Sequence, residues 1–439
     1  MSFDRKMRLG AFLMAGGHHI AAWRHPDAHA EAGVDIDHFI ALARIAERGT
    51  FDMVFVEDAA AIRERNPDMA SQAARSTAFE PLSLLAALAV NTSHIGLVAT
   101  ASTTYNEPYS LARAFASLDS LSGGRAGWNL VTSASELEAE NFASSGLRPH
   151  SERYERAEEF ADVALALWDG VEHGAYLPED ATVFANRAKL HVLRHHGKHF
   201  AVEGVLESLP SAQGRPIMVQ AGASDVGKDL AARTADIVFA ASQTLAEAKA
   251  YYADVKSRLA KYGRKPDDVK IMPGISPVVG ATEAEAKAKY RALQELIPDA
   301  VGVALLASYL SIQDLSAYPL DGPLPDMPQT NLIQSRQQLI IDLGRRENLS
   351  IRELARHFAG ARGHWQVVGT PTQVADAMEE RFREGAADGF NVMAPLFPSG
   401  LEDFITHVVP ELRRRGLFRE EYEGRTLRAN LGVGAPSKR

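Results

Sequence analysis

Ser117-Leu118-Asp119-Ser120-Leu121-Ser122-Gly123-Gly124-Arg125-Ala126-Gly127-Trp128-Asn129-Leu130-Val131-Thr132-Ser133 reads as a helix end, a tight turn and a short buried strand. The Gly123-Gly124 pair permits the sharp reversal, because glycine adopts backbone conformations that a Cβ forbids. The strand, 125–131, runs out into polar residues, Asn129, Thr132 and Ser133. A polar loop follows and leads to Gly146-Leu147-Arg148-Pro149-His150-Ser151-Glu152-Arg153-Tyr154. This reading places His150 just before a helix that runs to Trp168, with Tyr154 in its first turn. Parallel barrels carry their chemistry at the C-terminal strand ends and the loops after them. A ligand is therefore expected here.

Working outward, seven more short apolar runs read as strands, at 7–14, 51–56, 94–100, 216–221, 236–240, 269–279 and 389–394. Helical periodicity fills the spaces between them, as in 37–49, where Phe39, Leu42, Ile45 and Ala46 share one face. Thr244-Leu245-Ala246-Glu247, Thr282-Glu283-Ala284-Glu285 and Thr370-Pro371-Thr372-Gln373 fit the capping box that opens a helix. Residues 172–209 read as irregular and rich in His. Strands that alternate with helices are parallel and joined by helical crossovers. Eight such units close an α/β fold of the (β/α)8 TIM barrel type. The reading is one barrel domain over 1–439, with insertions after strands four and seven at roughly 132–215 and 280–388. Connections of that length usually have a function, and the long insertion after strand seven, with Pro319 to Pro328 inside it, reads as a closing lid.

The net charge of −9 argues against nucleic acid and acidic membranes as partners, since both require a basic face. Cysteine is absent, which excludes disulfides, thiolate nucleophiles and Cys zinc sites. There is no apolar signal core at the N-terminus and no apolar run of ~20 residues. A cytoplasmic protein is the expectation.

The expected strand ends collect mostly neutral hydrogen-bonding groups. Strand one brings His18, His19 and Trp23, and strand two brings the carboxylates Glu57 and Asp58. Strand three brings Ser102, Thr103 and Thr104, and strand four Asn129, Thr132, His150 and Tyr154. Ser224 follows strand five at a helix start, where free N–H groups favour an anion, although a plain N-cap needs the same residue. In an extended segment Glu57 and Asp58 diverge, so one of the two faces the barrel mouth and the other the surface or an outer shell. The set suits a polar heterocycle with a phosphate better than a metal, and no metal site is expected. Adjacent imidazoles such as His18 and His19 point to opposite faces and do not share an ion. The two common glycine-rich phosphate loops are missing.

The stretch 117–133, with Arg148-Pro149-His150-Ser151-Glu152-Arg153-Tyr154 after it, resembles the bacterial luciferase-like flavin monooxygenases. More narrowly, it is similar to the branch of nitrilotriacetate and dibenzothiophene-sulfone monooxygenases. Trp23-Arg24-His25-Pro26, the run 51–58, the run 216–224 and Val368-Gly369-Thr370-Pro371 extend the resemblance over nearly the whole chain. It implies a two-component enzyme. A separate NAD(P)H:flavin reductase delivers reduced FMN (FMNH2), which reacts with O2 to a C4a-hydroperoxyflavin. One oxygen atom then enters a small, possibly xenobiotic, N- or S-containing substrate. The resemblance assigns FMN to Asp58, Thr104, His150, Tyr154 and Ser224, and also to Ser102 and Asn129. Asp58 would lie by the ring, with His150, Tyr154 and Ser224 toward the phosphate. The catalytic imidazole of strand one maps to His18 or His19. Alkane-oxidising relatives carry a cysteine in that region, and this chain has none. A homodimer or homotetramer is implied. Alternative functions are an F420-dependent dehydrogenase on the same barrel, a non-catalytic flavin-binding protein and a metal-dependent hydrolase.

Overall fold

The computed structural model describes residues 5–62, 71–72, 79–142, 146–176, 184–310, 312, 315, 317–327 and 334–436. Its strands are β1 (Arg8–Leu13), β2 (Met53–Val56), β3 (Gly96–Ser102), β4 (Ala126–Val131), β5 (Leu193–His196), β6 (Ala201–Gly204), β7 (Ile217–Gln220), β8 (Ile237–Ala240), β9 (Lys270–Val279), β10 (Trp365–Gly369) and β11 (Gly389–Val392). Eight of them pair in parallel and close in the order β1-β2-β3-β4-β7-β8-β9-β11. All eight coincide with the expected apolar runs. These strands are nearly continuous in Val, Ile, Leu, Phe and Ala because helices cover one face and the barrel interior the other.

The closing strand is β9, with 10 residues. Its first part pairs with β8, as Ile237↔Lys270, and its middle with β11, as Asn391↔Gly274. Its last part overshoots the barrel and pairs with β10, a ninth parallel strand that sequence reading did not find. The segment 172–209 is also more ordered than expected: β5 and β6 form an antiparallel hairpin, braced where Glu159 accepts from His195 Nε2 at 2.9 Å. Two helix starts differ in detail. His150 is the first residue of the helix His150–Asp169, not the residue before it, so Tyr154 lies in the second turn. Thr282 caps the helix Glu283–Glu295, but Glu285 accepts from Ala281 N–H, so the box is only half made. Thr244 and Thr370 make complete boxes.

Between β9 and β11 the chain builds a lobe with its own core. The helices Asp299–Leu310, Gln334–Glu347 and Ile351–Ala361 pack around Leu306, Leu310, Ile340, Leu354 and Phe358. Ile20 and Ala21, in the loop after β1, pack against Ile297, Val301, Leu305 and Ala359 of this lobe. Within the insertion expected to act as a lid, Pro328 lies outside the described residues.

The two ends of the barrel differ in chemistry. At the N-terminal end, three aspartates directly precede strands and accept an N–H from the neighbouring strand. Asp52 takes Leu9 N at 2.7 Å, Asp236 takes Met218 N at 2.9 Å, and Asp388 takes Ile271 N at 2.9 Å. Buried cations neutralise them: Arg419 on Asp52, Arg428 on Asp236 at 3.0 and 3.1 Å, and Lys256 on Asp388 at 2.8 Å. Removing one partner of such a pair leaves an uncompensated buried charge, so this face is committed to stability.

His18 and His19 follow β1 and are both buried. Their N–H groups donate to Ala394 and Pro395, which ties the β1 loop to the β11 loop. His18 Nε2 hydrogen-bonds the Phe12 carbonyl at 2.8 Å, and His19 Nδ1 accepts from Ala21 N–H at 3.2 Å. Burial, with Arg362 nearby, lowers His18 from 6.5 to about 3, and burial lowers His19 to about 4. Both rings are neutral in the folded protein at ordinary pH. The unfolded chain binds protons at these positions below about pH 6.5, so stability falls as the pH drops through that range toward the folded values. His18→Gln should reduce the proton uptake on unfolding by about one between roughly pH 6 and pH 4. Denaturant titration across that range measures this, and an unchanged pH slope would contradict it.

Candidate active site

At the C-terminal rim the loops surround a cavity of about 900 Å³. Its floor is aromatic: Phe12 from β1, Phe55 from β2 and Phe239 from β8. The ring centroids are 4.8 Å apart for Phe12–Phe55, 5.7 Å for Phe55–Phe239 and 5.9 Å for Phe12–Phe239. Inward alternation along a barrel strand puts such residues at the centre of the mouth.

Asp58, Thr100 and Asn129 continue the wall from β2, β3 and β4. Asn129 donates from Nδ2 to Thr100 Oγ1 at 2.8 Å. Its Oδ1 is buried and has no hydrogen-bond partner among the described residues. A buried acceptor left in this way is costly unless a ligand donor satisfies it.

Another part of the cavity wall is built at a helix start, where free N–H groups favour an anion. Ser224 caps the helix Asp225–Thr234, accepting from Gly227 N–H at 3.2 Å. Gly222 and Gly227 lie back to back: a Cβ on Gly222 would come within 2.8 Å of Gly227 Cα. A Cβ on Gly227 would meet Tyr154 Oη at 3.0 Å and Ser224 Oγ at 3.2 Å, so both hydroxyls converge on this helix start. Tyr251 holds the turn by donating to the Gly222 carbonyl at 2.9 Å. His150 stands beside Tyr154 with ring centroids 4.7 Å apart. Burial and the charge of Arg153 hold its imidazole below the usual range.

A network braces the mouth. Ser133 sits in the left-handed region at φ 45, a strained conformation for a non-glycine residue. Its hydroxyl meets Ser102 Oγ at 2.8 Å and Glu138 at 3.3 Å, and Arg153 donates to its carbonyl. Glu138 also accepts from Ala60 N–H at 3.1 Å, joining the β2 and β4 loops.

The structure thus brings Asp58, Asn129, His150, Tyr154 and Ser224 to one cavity. Ser102 and Thr104 stand behind its wall. Thr104 donates to the Thr132 carbonyl at 2.6 Å, and Ser102 accepts from Thr104 N–H at 3.1 Å. Among the described residues, His18 and His19 do not line the cavity; His18 lies behind Phe12, on that residue's carbonyl. Sequence reading missed the aromatic floor, His364 and Arg362. Arg362 pairs with Glu57 at 3.0 Å, and both line the cavity, so Glu57 is not a surface residue. The alternation of β1 and β2 could have indicated Phe12 and Phe55. Nothing local points to Arg362, which is 305 residues from its partner.

The model of the luciferase-like monooxygenase family matches residues 16–389. The chain is 48% identical to nitrilotriacetate monooxygenase component A of Aminobacter aminovorans, over 99% of this chain and 98% of that protein. It is equally 48% identical to N-acetyl-S-(2-succino)cysteine monooxygenase of Bacillus subtilis, over 100% and 99%. The crystal structure of riboflavin lyase (RcaE) with modified FMN and riboflavin superposes with a TM-score of 0.89 at 31% identity, covering 98% of this chain and 97% of that one. The chain belongs to the luciferase-like monooxygenase family and is a flavin-dependent monooxygenase.

Proposed function

We propose that this protein, a single barrel domain with both long insertions, is the oxygenase half of a two-component system. A separate NAD(P)H:flavin reductase supplies reduced FMN, and the oxygenase places one atom of O2 in a small organic substrate containing nitrogen or sulfur. The observation that carries this reading is one cavity with two unlike ends. An anion cradle of Tyr154, Ser224 and a helix start faces a buried, unsatisfied acceptor on Asn129 beside an aromatic floor. A flavin mononucleotide has this division, with a phosphate at one end and a ring bearing N–H donors at the other. The names of the relatives that act on nitrilotriacetate and N-acetyl-S-(2-succino)cysteine support the substrate class.

Reduced FMN, when bound, supplies the two electrons that activate O2. The residues of this chain bind, orient and shield it. Tyr154 and Ser224 donate hydroxyl protons to the phosphate, and the helix Asp225–Thr234 adds the favourable end of its dipole. Asn129 Oδ1 and the Asp58 carboxylate accept ring N–H groups. Ser102 and Thr104 hold the strand ends that carry these groups. The aromatic floor keeps water from the reacting edge. His18 acts as a neutral imidazole beneath that floor and fixes Phe12 through its carbonyl, and His19, also neutral, orders the loop after β1 by accepting from Ala21 N–H. No single helix among the described residues is long and apolar enough to cross a membrane. We place the enzyme in the cytoplasm, as a homodimer or homotetramer.

The decisive assay combines the protein with FMN, NADH, a flavin reductase and a panel of candidate substrates under labelled O2. One labelled oxygen atom in a product supports the proposal. Oxidation of reduced FMN at the protein-free rate, with no labelled product, would refute it. Tyr154→Phe and Ser224→Ala should each weaken reduced FMN binding by about 0.5–3 kcal/mol while leaving reduced riboflavin unaffected. Anaerobic titration measures both, and an equal loss for the two flavins would move the phosphate elsewhere.

A further inference from the structure

The lobe between β9 and β11 reaches the cavity with the residues Ser308, Tyr309, Gln337, Arg362 and His364. Hydrophobic contact fastens this lobe at Ile20 and Ala21, where Ile20 N–H also donates to the Ala359 carbonyl at 3.3 Å. At the cavity itself the attachment is polar. Ser350 and Glu353 make a full capping box that starts the helix Ile351–Ala361. Arg362 ends that helix in the left-handed conformation, φ 54, with its N–H on the Phe358 carbonyl at 2.7 Å. Glycine usually takes this position. Here an arginine accepts the unfavourable backbone, and its side chain turns inward to Glu57 at 3.0 Å and to Met14 Sδ at 2.7 Å. Its side chain is 8% exposed. Glu57 directly follows β2 and precedes Asp58.

We propose that Arg362 is a positioning residue: through its buried pair with Glu57 it latches the lobe onto the barrel and holds the lobe's cavity wall against the β2 end. Surface burial alone needs no charge here. A strained backbone with a buried cation implies that the position is held by its side-chain partners, Glu57 and Met14 on the barrel side and Tyr309 within the lobe. The inference rests on the reading of the cavity as the flavin and oxygen site, because that gives the wall its use in excluding water.

The test is hydrogen–deuterium exchange by mass spectrometry on the flavin-free wild type, Glu57→Gln, Arg362→Gln and the double variant. Each single substitution removes one charge of this part-buried pair and should lower stability. The double variant removes both charges and should melt near the wild type. Exchange in the helices Asp299–Leu310 and Ile351–Ala361 should rise about tenfold or more in all three variants, with β1–β4 unchanged. Exchange rising equally in the barrel, or returning to the wild-type rate in the double variant, would reduce the pair to charge compensation and overturn the proposal. Exchange unchanged in every variant would overturn it too. A second arm mixes the FMNH2-loaded enzymes with O2 and follows hydrogen peroxide. The variants should release it several times faster than the wild type, and equal rates would contradict the latch. A wild type that binds no reduced FMN would refute the proposed function, whereas the exchange arm would still decide the latch.

Discussion

Closure of one parallel sheet is the constraint on which everything else in this protein depends. β9 must meet both β8 and β11, and its ten residues are long enough to serve those partners and β10 as well. Once the ring is closed, every strand points its C-terminal end at the same rim. Residues from β1 to β11, hundreds of positions apart in the chain, then surround one cavity. Buried aspartate–cation pairs at the opposite rim secure the closure, and two of their arginines, Arg419 and Arg428, come from the C-terminal segment. Charge is thus spent on stability at one end, while the other end is lined largely by neutral donors, acceptors and aromatic rings.

That division explains the form of the site. A cofactor bound reversibly needs unsatisfied groups waiting for it, and these cost stability when empty. Asn129 Oδ1 is a buried acceptor of this kind, and the absence of side chains at Gly222 and Gly227 lets two backbone segments approach more closely than a Cβ would allow. Ser133 adds a strained backbone at the same rim. The family supplies the barrel and the flavin chemistry. The lobe between β9 and β11 contributes its own wall, and so brings residues from outside the barrel to the cavity.

Much of this was legible in the sequence because it is local. Eight apolar runs between helical segments mark eight strands, and Thr244 and Thr370 mark helix starts through a hydrogen bond three residues away. Ser350 and Glu353 carry the same signal and would have located the helix that delivers Arg362. The hairpin β5–β6 was harder, since its strands alternate between partial and full exposure and offer no apolar run. β10 is likewise only half-buried. Of the candidate residues, Asp58, Asn129, His150, Tyr154 and Ser224 reached the cavity. Ser102, Thr104, His18 and His19 stand one layer back, because the direction of a side chain at a strand end depends on a register that only the closed barrel defines. The pair Glu57–Arg362 joins positions that no local pattern relates.

The measurement that bears most directly on the central claim is a crystal structure of the enzyme with reduced FMN bound under anaerobic conditions. The account predicts the phosphate at the start of the helix Asp225–Thr234, against the Tyr154 and Ser224 hydroxyls, and the ring toward Asn129 and the aromatic floor. A flavin with its phosphate on any other part of the rim, or its ring outside this cavity, would contradict it.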